Sequence, residues 1–210
     1  MLETLSPTAI DETICRLANA RQRLDALRAL GLDANETAEV LNFIGAHNDG
    51  DADLLLDEPF RNDPTRPYRP EPTRFSDGSW RVFYAALSWD TTAEELGPHV
   101  RKAVASSPPR VFYHRLQCRL KGTGYDLRPK SADWTFLTQD HSAYPQCQSL
   151  AREAISIGAE AFVTPSARHS AGVNTPVFAR SALTAAEIVG SAVIVAEGSS
   201  FRVEWGGSTS

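Results

Sequence analysis

The sequence predicts a mixed α/β domain, a twisted β-sheet core flanked by helices. Three observations carry this reading. Residues 80–87 form an apolar, buried-looking strand that runs into a helix start at residues 90–95. Residues 111–118 alternate between two environments, as an extended strand does. A helix over residues 144–157 then separates these from further strand candidates at 159–163, 177–179, 192–195 and 201–205. Strands and helices therefore interleave, which favours a mixed class over either pure one. With 210 residues, 42% of them hydrophobic, the chain suffices for one sizeable core and is short for two full domains.

From the N-terminus, Ser6-Pro7 offers a cap and a first-turn proline. Ile10, Ile14 and Leu17, continued by Leu24, Leu27 and Leu30, give a stripe at helical spacing before Gly31. A second short helix is expected over residues 35–44. Residues 1–47 thus read as an N-terminal helical extension and residues 48–210 as the main domain. Between residues 48 and 72 five prolines accompany acids and arginines, so an irregular surface arm is expected there. In the helix that follows residue 90, Thr91 and Glu94 stand at capping-box spacing, and Gly97-Pro98 should distort or restart it. Tyr144-Pro145 opens the next helix, and loop is expected from Thr164 onward.

Composition narrows the function. Lysine plus arginine number 21 against 26 acids, a formal charge of −5, so the chain as a whole does not suit nucleic acid or an anionic membrane. The three cysteines, Cys15, Cys118 and Cys147, are too widely spaced for a zinc knuckle or a disulfide framework. The five histidines make no HExxH or other compact metal pattern, so no metal is expected. Neither a GxGxxG nor a GxxxxGK[ST] loop is present, and no GxSxG elbow supports a serine nucleophile. The N-terminal segment carries acids where a signal peptide carries a basic patch, and no apolar run reaches membrane-spanning length, so a cytoplasmic protein is expected.

An ordered set of short motifs points further. Arg74-Phe75-Ser76-Asp77-Gly78 is followed by Tyr84-Ala85-Ala86, then by Glu95 with His99 after it, then by Thr164-Pro165-Ser166-Ala167-Arg168 and Gly172-Val173-Asn174. In this order they resemble the RES-domain family, named for an arginine, a glutamate and a serine. The resemblance implies a fold related to ADP-ribosyltransferases, NAD as substrate, and cleavage of its nicotinamide–ribose bond. The ADP-ribose acceptor would be phosphate, water or a protein. Many members are toxins, and the resemblance also implies a small DNA-binding antitoxin covering the cleft. A catalytically silent interaction protein is the alternative from another class. Residues 1–47 could instead regulate the chain in cis or form a homodimer surface.

The residue types suit that chemistry. A guanidinium meets two phosphate oxygens at once, and Arg74 is the first candidate for a pyrophosphate clamp. The family's other arginine stays open among Arg61, Arg66 and Arg69; Phe60-Arg61 and Tyr68-Arg69 both offer an aromatic–arginine pair, and Arg61 is preferred. Breaking the glycosidic bond places positive charge on the ribose, which a carboxylate at Glu95 would stabilise. Tyr84 would line the nicotinamide or ribose side. Ser166 would bind phosphate or orient nicotinamide.

Overall fold

A computed structural model of the chain describes residues 1–19, 31–33, 35–36, 39–40, 49–61, 71–103 and 110–206. Among the described residues seven strands form one mixed sheet: β1 (Thr8–Asn19), β2 (Phe83–Ala86), β3 (Arg110–Asp126), β4 (Ala161–Pro165), β5 (Val173–Val177), β6 (Leu183–Glu197) and β7 (Ser200–Gly206). Among the described residues, helices α1 (Asp49–Asp57), α2 (Trp89–Ala103) and α3 (Tyr144–Ser156) flank it. The strand order is β1-β2-β5-β4-β3-β6-β7, and β1 also pairs with β3. Five strands therefore close a circuit, with β6 and β7 continuing from β3.

β3 makes this possible because it is long enough to serve three neighbours. It pairs antiparallel with β1 over residues 113–124 and with β6 over 110–120, then parallel with β4 over 124–126. On its inward face Phe112, His114, Leu116, Cys118 and Leu120 alternate as buried side chains, the period-two signature of a strand. At Gly124 the β3 and β4 backbones meet so closely that a Cβ would lie 2.0 Å from the Ala161 carbonyl oxygen. Gly124→Ala should therefore destabilise the protein by about 1–3 kcal/mol, measured as a lowered denaturation midpoint.

The largest correction to the sequence reading concerns residues 8–19. They form β1, not a helix, paired with β3 along all twelve of its residues. The spacing misleads because Ile10 and Ile14 are four apart, which satisfies both a helix and a strand. Burial on both faces hides the alternation: Ile10 and Ile14 enter one core cluster with Phe83 and Leu116, while Leu17 joins Ala93 and Val100 of α2. The threonines and isoleucines of this segment also suit a pleated surface better than a helix. Residues 35, 36, 39 and 40 are helical as expected; residues 20–30 and most of the second expected helix lie outside the described residues.

The expected irregular arm begins instead as α1 and a 3-10 turn, Glu58–Phe60, before residues 62–70, which lie outside the described residues. Phe60 stacks parallel to Phe83 with ring centres 6.4 Å apart, and Arg180 Nε donates to Asp57 Oδ1 at 2.6 Å. α1 is thus tied to the sheet. α2 starts earlier than expected and runs unbroken through Pro98. Its cap is Ser88, whose Oγ accepts the Thr91 N–H at 3.2 Å, rather than Thr91. Gly97 admits the Phe201 ring of β7, which a Cβ would strike at 2.2 Å. β4 begins two residues later than expected, and β5 precedes residue 178 rather than containing it.

Among the described residues no helix is long and apolar enough to cross a membrane. No group of three or more His, Cys, Asp or Glu side chains there is placed to hold a metal ion. All three cysteines are buried and unpaired with one another.

Candidate functional site

A cleft of about 620 Å³ opens between β1, β2, α2 and the segment at residues 71–75. Glu95 sits on its wall, nearly two turns into α2, with its neighbour Glu94 exposed to solvent. The helix is pinned behind it by Thr92, whose hydroxyl donates to the Ser88 carbonyl at 3.0 Å and the Cys15 carbonyl of β1 at 3.3 Å. That contact brings the β1 residue after Cys15, Arg16, to the same cleft.

The Glu95 carboxylate is held by three partners. Ser166 Oγ donates to Oε1 at 2.6 Å, Asn174 Nδ2 donates to the same oxygen at 2.7 Å, and Arg168 Nη1 lies 3.5 Å from Oε2. Arg168 also donates to the Glu95 backbone carbonyl. Ser166 is buried, and its oxygen accepts the backbone N–H groups of Arg168 at 3.1 Å and His169 at 3.0 Å. With one donor and two acceptor positions in use, its hydroxyl has no capacity left for a ligand. A further chain links His169 Nδ1 to Thr91 Oγ1 at 2.9 Å and Thr91 Oγ1 to Ser88 Oγ at 2.8 Å. The Pro165–Gly172 loop is therefore bonded to the start of α2, and the carboxylate's direction is set by both.

Across the cleft, Tyr84 Oη shares a 2.6 Å hydrogen bond with Thr73 Oγ1 and accepts the Phe75 N–H at 3.1 Å. Burial pushes its hydroxyl up to about 12, so it stays neutral and holds the segment that carries Arg74. Arg74 donates to the carbonyls of Phe136 at 3.4 Å and Gln139 at 2.7 Å, and its guanidinium lies 5.0 Å from the Tyr144 ring centre. The Gln148 amide, donating to the carbonyls of Thr73 at 2.8 Å and Ser76 at 3.2 Å, fastens the same segment to α3.

Arg16 is a cleft arginine that sequence reasoning did not single out. Its Nη1 donates to the Tyr84 carbonyl at 2.8 Å, and its guanidinium lies 4.7 Å from the Phe83 ring centre. The residue opposite Tyr84 on β5 is Pro176, which has no N–H to give. Burial lowers the Arg16 pKa below the ordinary arginine value, with the nearby Glu58 charge acting in the other direction. Its Nε is buried without a hydrogen-bond partner. A desolvated cation with an unspent donor at a cleft wall favours an incoming anion. The signal available in the sequence was Cys15-Arg16-Leu17 in a β-branched stretch, an arginine inside an apolar strand.

Of the residues singled out from sequence, Arg74, Tyr84 and Glu95 line the cleft, and Ser166 stands behind Glu95 rather than on the surface. Arg61 is exposed; its backbone N–H closes the 3-10 turn onto the carbonyls of Asp57 and Glu58, and it is not among the cleft residues. Arg66 and Arg69 lie outside the described residues. The cleft thus presents the carboxylate of Glu95, fixed by its three partners, a second carboxylate at Glu71, and the guanidinium groups of Arg16, Arg74 and Arg168. Such a surface suits a ligand that carries phosphate at one point and develops positive charge at another.

No curated protein matches the chain. A family model described as RES domain matches residues 44–202, a span that holds Arg74, Tyr84, Glu95, Ser166 and Asn174 and begins after β1. With three quarters of its length inside that match and the glutamate and serine of the motif hydrogen-bonded to each other, the chain belongs to the RES-domain family.

Proposed function

We propose that this protein is the toxin of a toxin–antitoxin pair and consumes NAD by breaking its nicotinamide–ribose bond, on a fold related to the ADP-ribosyltransferases. Membership in the RES family supports the NAD-related role. The observation that carries the bond cleavage is the Glu95 carboxylate, oriented by Ser166, Asn174 and Arg168 beside a cleft lined with arginine.

In this reading Arg16 and Arg74 bind the pyrophosphate, and Tyr84 holds the Arg74 segment in place. Glu95 faces the ribose. As the C–N bond breaks, nicotinamide leaves with the bonding electrons as a neutral ring, so its departure requires no proton from the protein. The ribose gains oxocarbenium character, and the fixed carboxylate stabilises that charge without having to reorganise. Phosphate then bonds to the ribose carbon, or water does and releases a proton to solvent. Ser166 acts as a positioning residue.

The test is to incubate purified protein with NAD, with and without phosphate, and to resolve nicotinamide and ADP-ribose products. Nicotinamide release is expected; phosphate-dependent formation of phosphorylated ADP-ribose identifies phosphorolysis, and free ADP-ribose identifies hydrolysis. Intact-mass analysis detects transfer to a protein as a gain of one ADP-ribose unit. No nicotinamide release by folded protein in either condition would sink the reading. The proposed partner is a small DNA-binding antitoxin that offers a carboxylate to the cleft arginines; co-purification should suppress nicotinamide release.

A further inference from the structure

Beside Arg74, the cleft is also lined by two aromatic side chains that the proposed chemistry does not use, His141 and Tyr144. Their rings are stacked, 4.7 Å between centres and 25° from parallel. Both sit where a short 3-10 turn, His141–Ala143, runs into α3. The turn is fixed by Asp140, whose Oδ1 accepts the Ser142 N–H at 2.9 Å. His141 is exposed, so its ring adds little to the core, yet it stands ordered on a phenol at the rim of the cleft. The guanidinium of Arg74 also lies on the Tyr144 ring.

We infer that the His141–Tyr144 pair is a stacking subsite for the purine ring of the bound dinucleotide. The inference rests on the NAD reading above. A dinucleotide runs base, ribose, pyrophosphate, ribose, base. With the nicotinamide ribose at Glu95 and the pyrophosphate on Arg16 and Arg74, the second base falls beyond Arg74, where Tyr144 and His141 are. Stacking on aromatic faces is tolerant of ring identity but demands a planar ring. The subsite therefore selects dinucleotides over nicotinamide mononucleotide, which has no second base.

Two measurements test this: the dissociation constant of AMP, read by calorimetry, and the ratio of kcat/KM for NAD to that for nicotinamide mononucleotide. In His141→Ala, whose exposed position leaves the fold intact, AMP binding should weaken roughly tenfold and the ratio should fall by a similar factor. His141→Phe, which keeps a stacking face, should restore both. An unchanged AMP constant and an unchanged ratio in His141→Ala overturn the inference, as does a parent protein that does not bind AMP. A parent that binds AMP through His141 yet releases no nicotinamide supports the subsite and overturns the cleavage reading, so the two failures are distinguishable.

Discussion

A Glu95→Gln variant is expected to release nicotinamide about 100- to 1000-fold more slowly than the parent, the range seen when one preorganised electrostatic contact to a transition state is removed. The substitution is nearly isosteric. The side-chain oxygen that accepts from Ser166 Oγ and Asn174 Nδ2 can be kept, and the ion pair lost to Arg168 is a partly exposed one at 3.5 Å. Its stability cost should be at most about 1 kcal/mol. The effect should fall on kcat, since the charge is needed when the ribose becomes cationic and not before. Ser166→Ala offers the informative contrast. It leaves the carboxylate in place but removes a donor that orients it, and it strands the N–H groups of Arg168 and His169. Lower thermal stability and a smaller loss of kcat than in Glu95→Gln are expected. Near-parental turnover in Glu95→Gln would show that the carboxylate has no part in the chemistry.

The second large effect is expected at Arg16. Each charge-assisted hydrogen bond to phosphate is worth about 1.5–3 kcal/mol, so Arg16→Leu should raise the KM for NAD roughly 10- to 150-fold. Two opposing changes act on stability. The Tyr84 carbonyl loses its donor and Phe83 loses its cationic neighbour, while the cost of keeping a guanidinium out of water disappears. The net change should stay within about 2 kcal/mol in either direction. Arg16→Lys keeps the charge but not the planar fork, and should recover part of the affinity. Steady-state kinetics beside thermal denaturation separates the alternatives. A purely structural Arg16 would give a lowered denaturation midpoint with an unaltered KM.

The mixed class was legible because local signals agreed with it. The apolar run at residues 80–87, the alternation at 111–118 and the proline-led helix start at Tyr144-Pro145 are each local signals, and they fall on Phe83–Ala86, Arg110–Asp126 and Tyr144–Ser156, elements of the expected types. Arg74, Tyr84 and Glu95 were legible as an ordered set, and the fold brings them to one cleft. The family was legible for the same reason, since its motifs are short, local and consecutive.

Tertiary structure decided what depends on pairing between distant residues. Whether Ile10 and Ile14 lie on a helix or a strand is undecided by a spacing of four, and the choice follows from β3 lying alongside to take twelve residues of backbone. Arg16 joins Arg74 because β1 closes the circuit of strands, not because of any nearness in sequence. Ser166 turns its hydroxyl to Glu95 because two backbone N–H groups of its own loop fill its acceptor positions, a bonding pattern that only the folded loop creates. A residue's chemical type is written in the chain, whereas its hydrogen-bond partners are assigned when strands and loops meet.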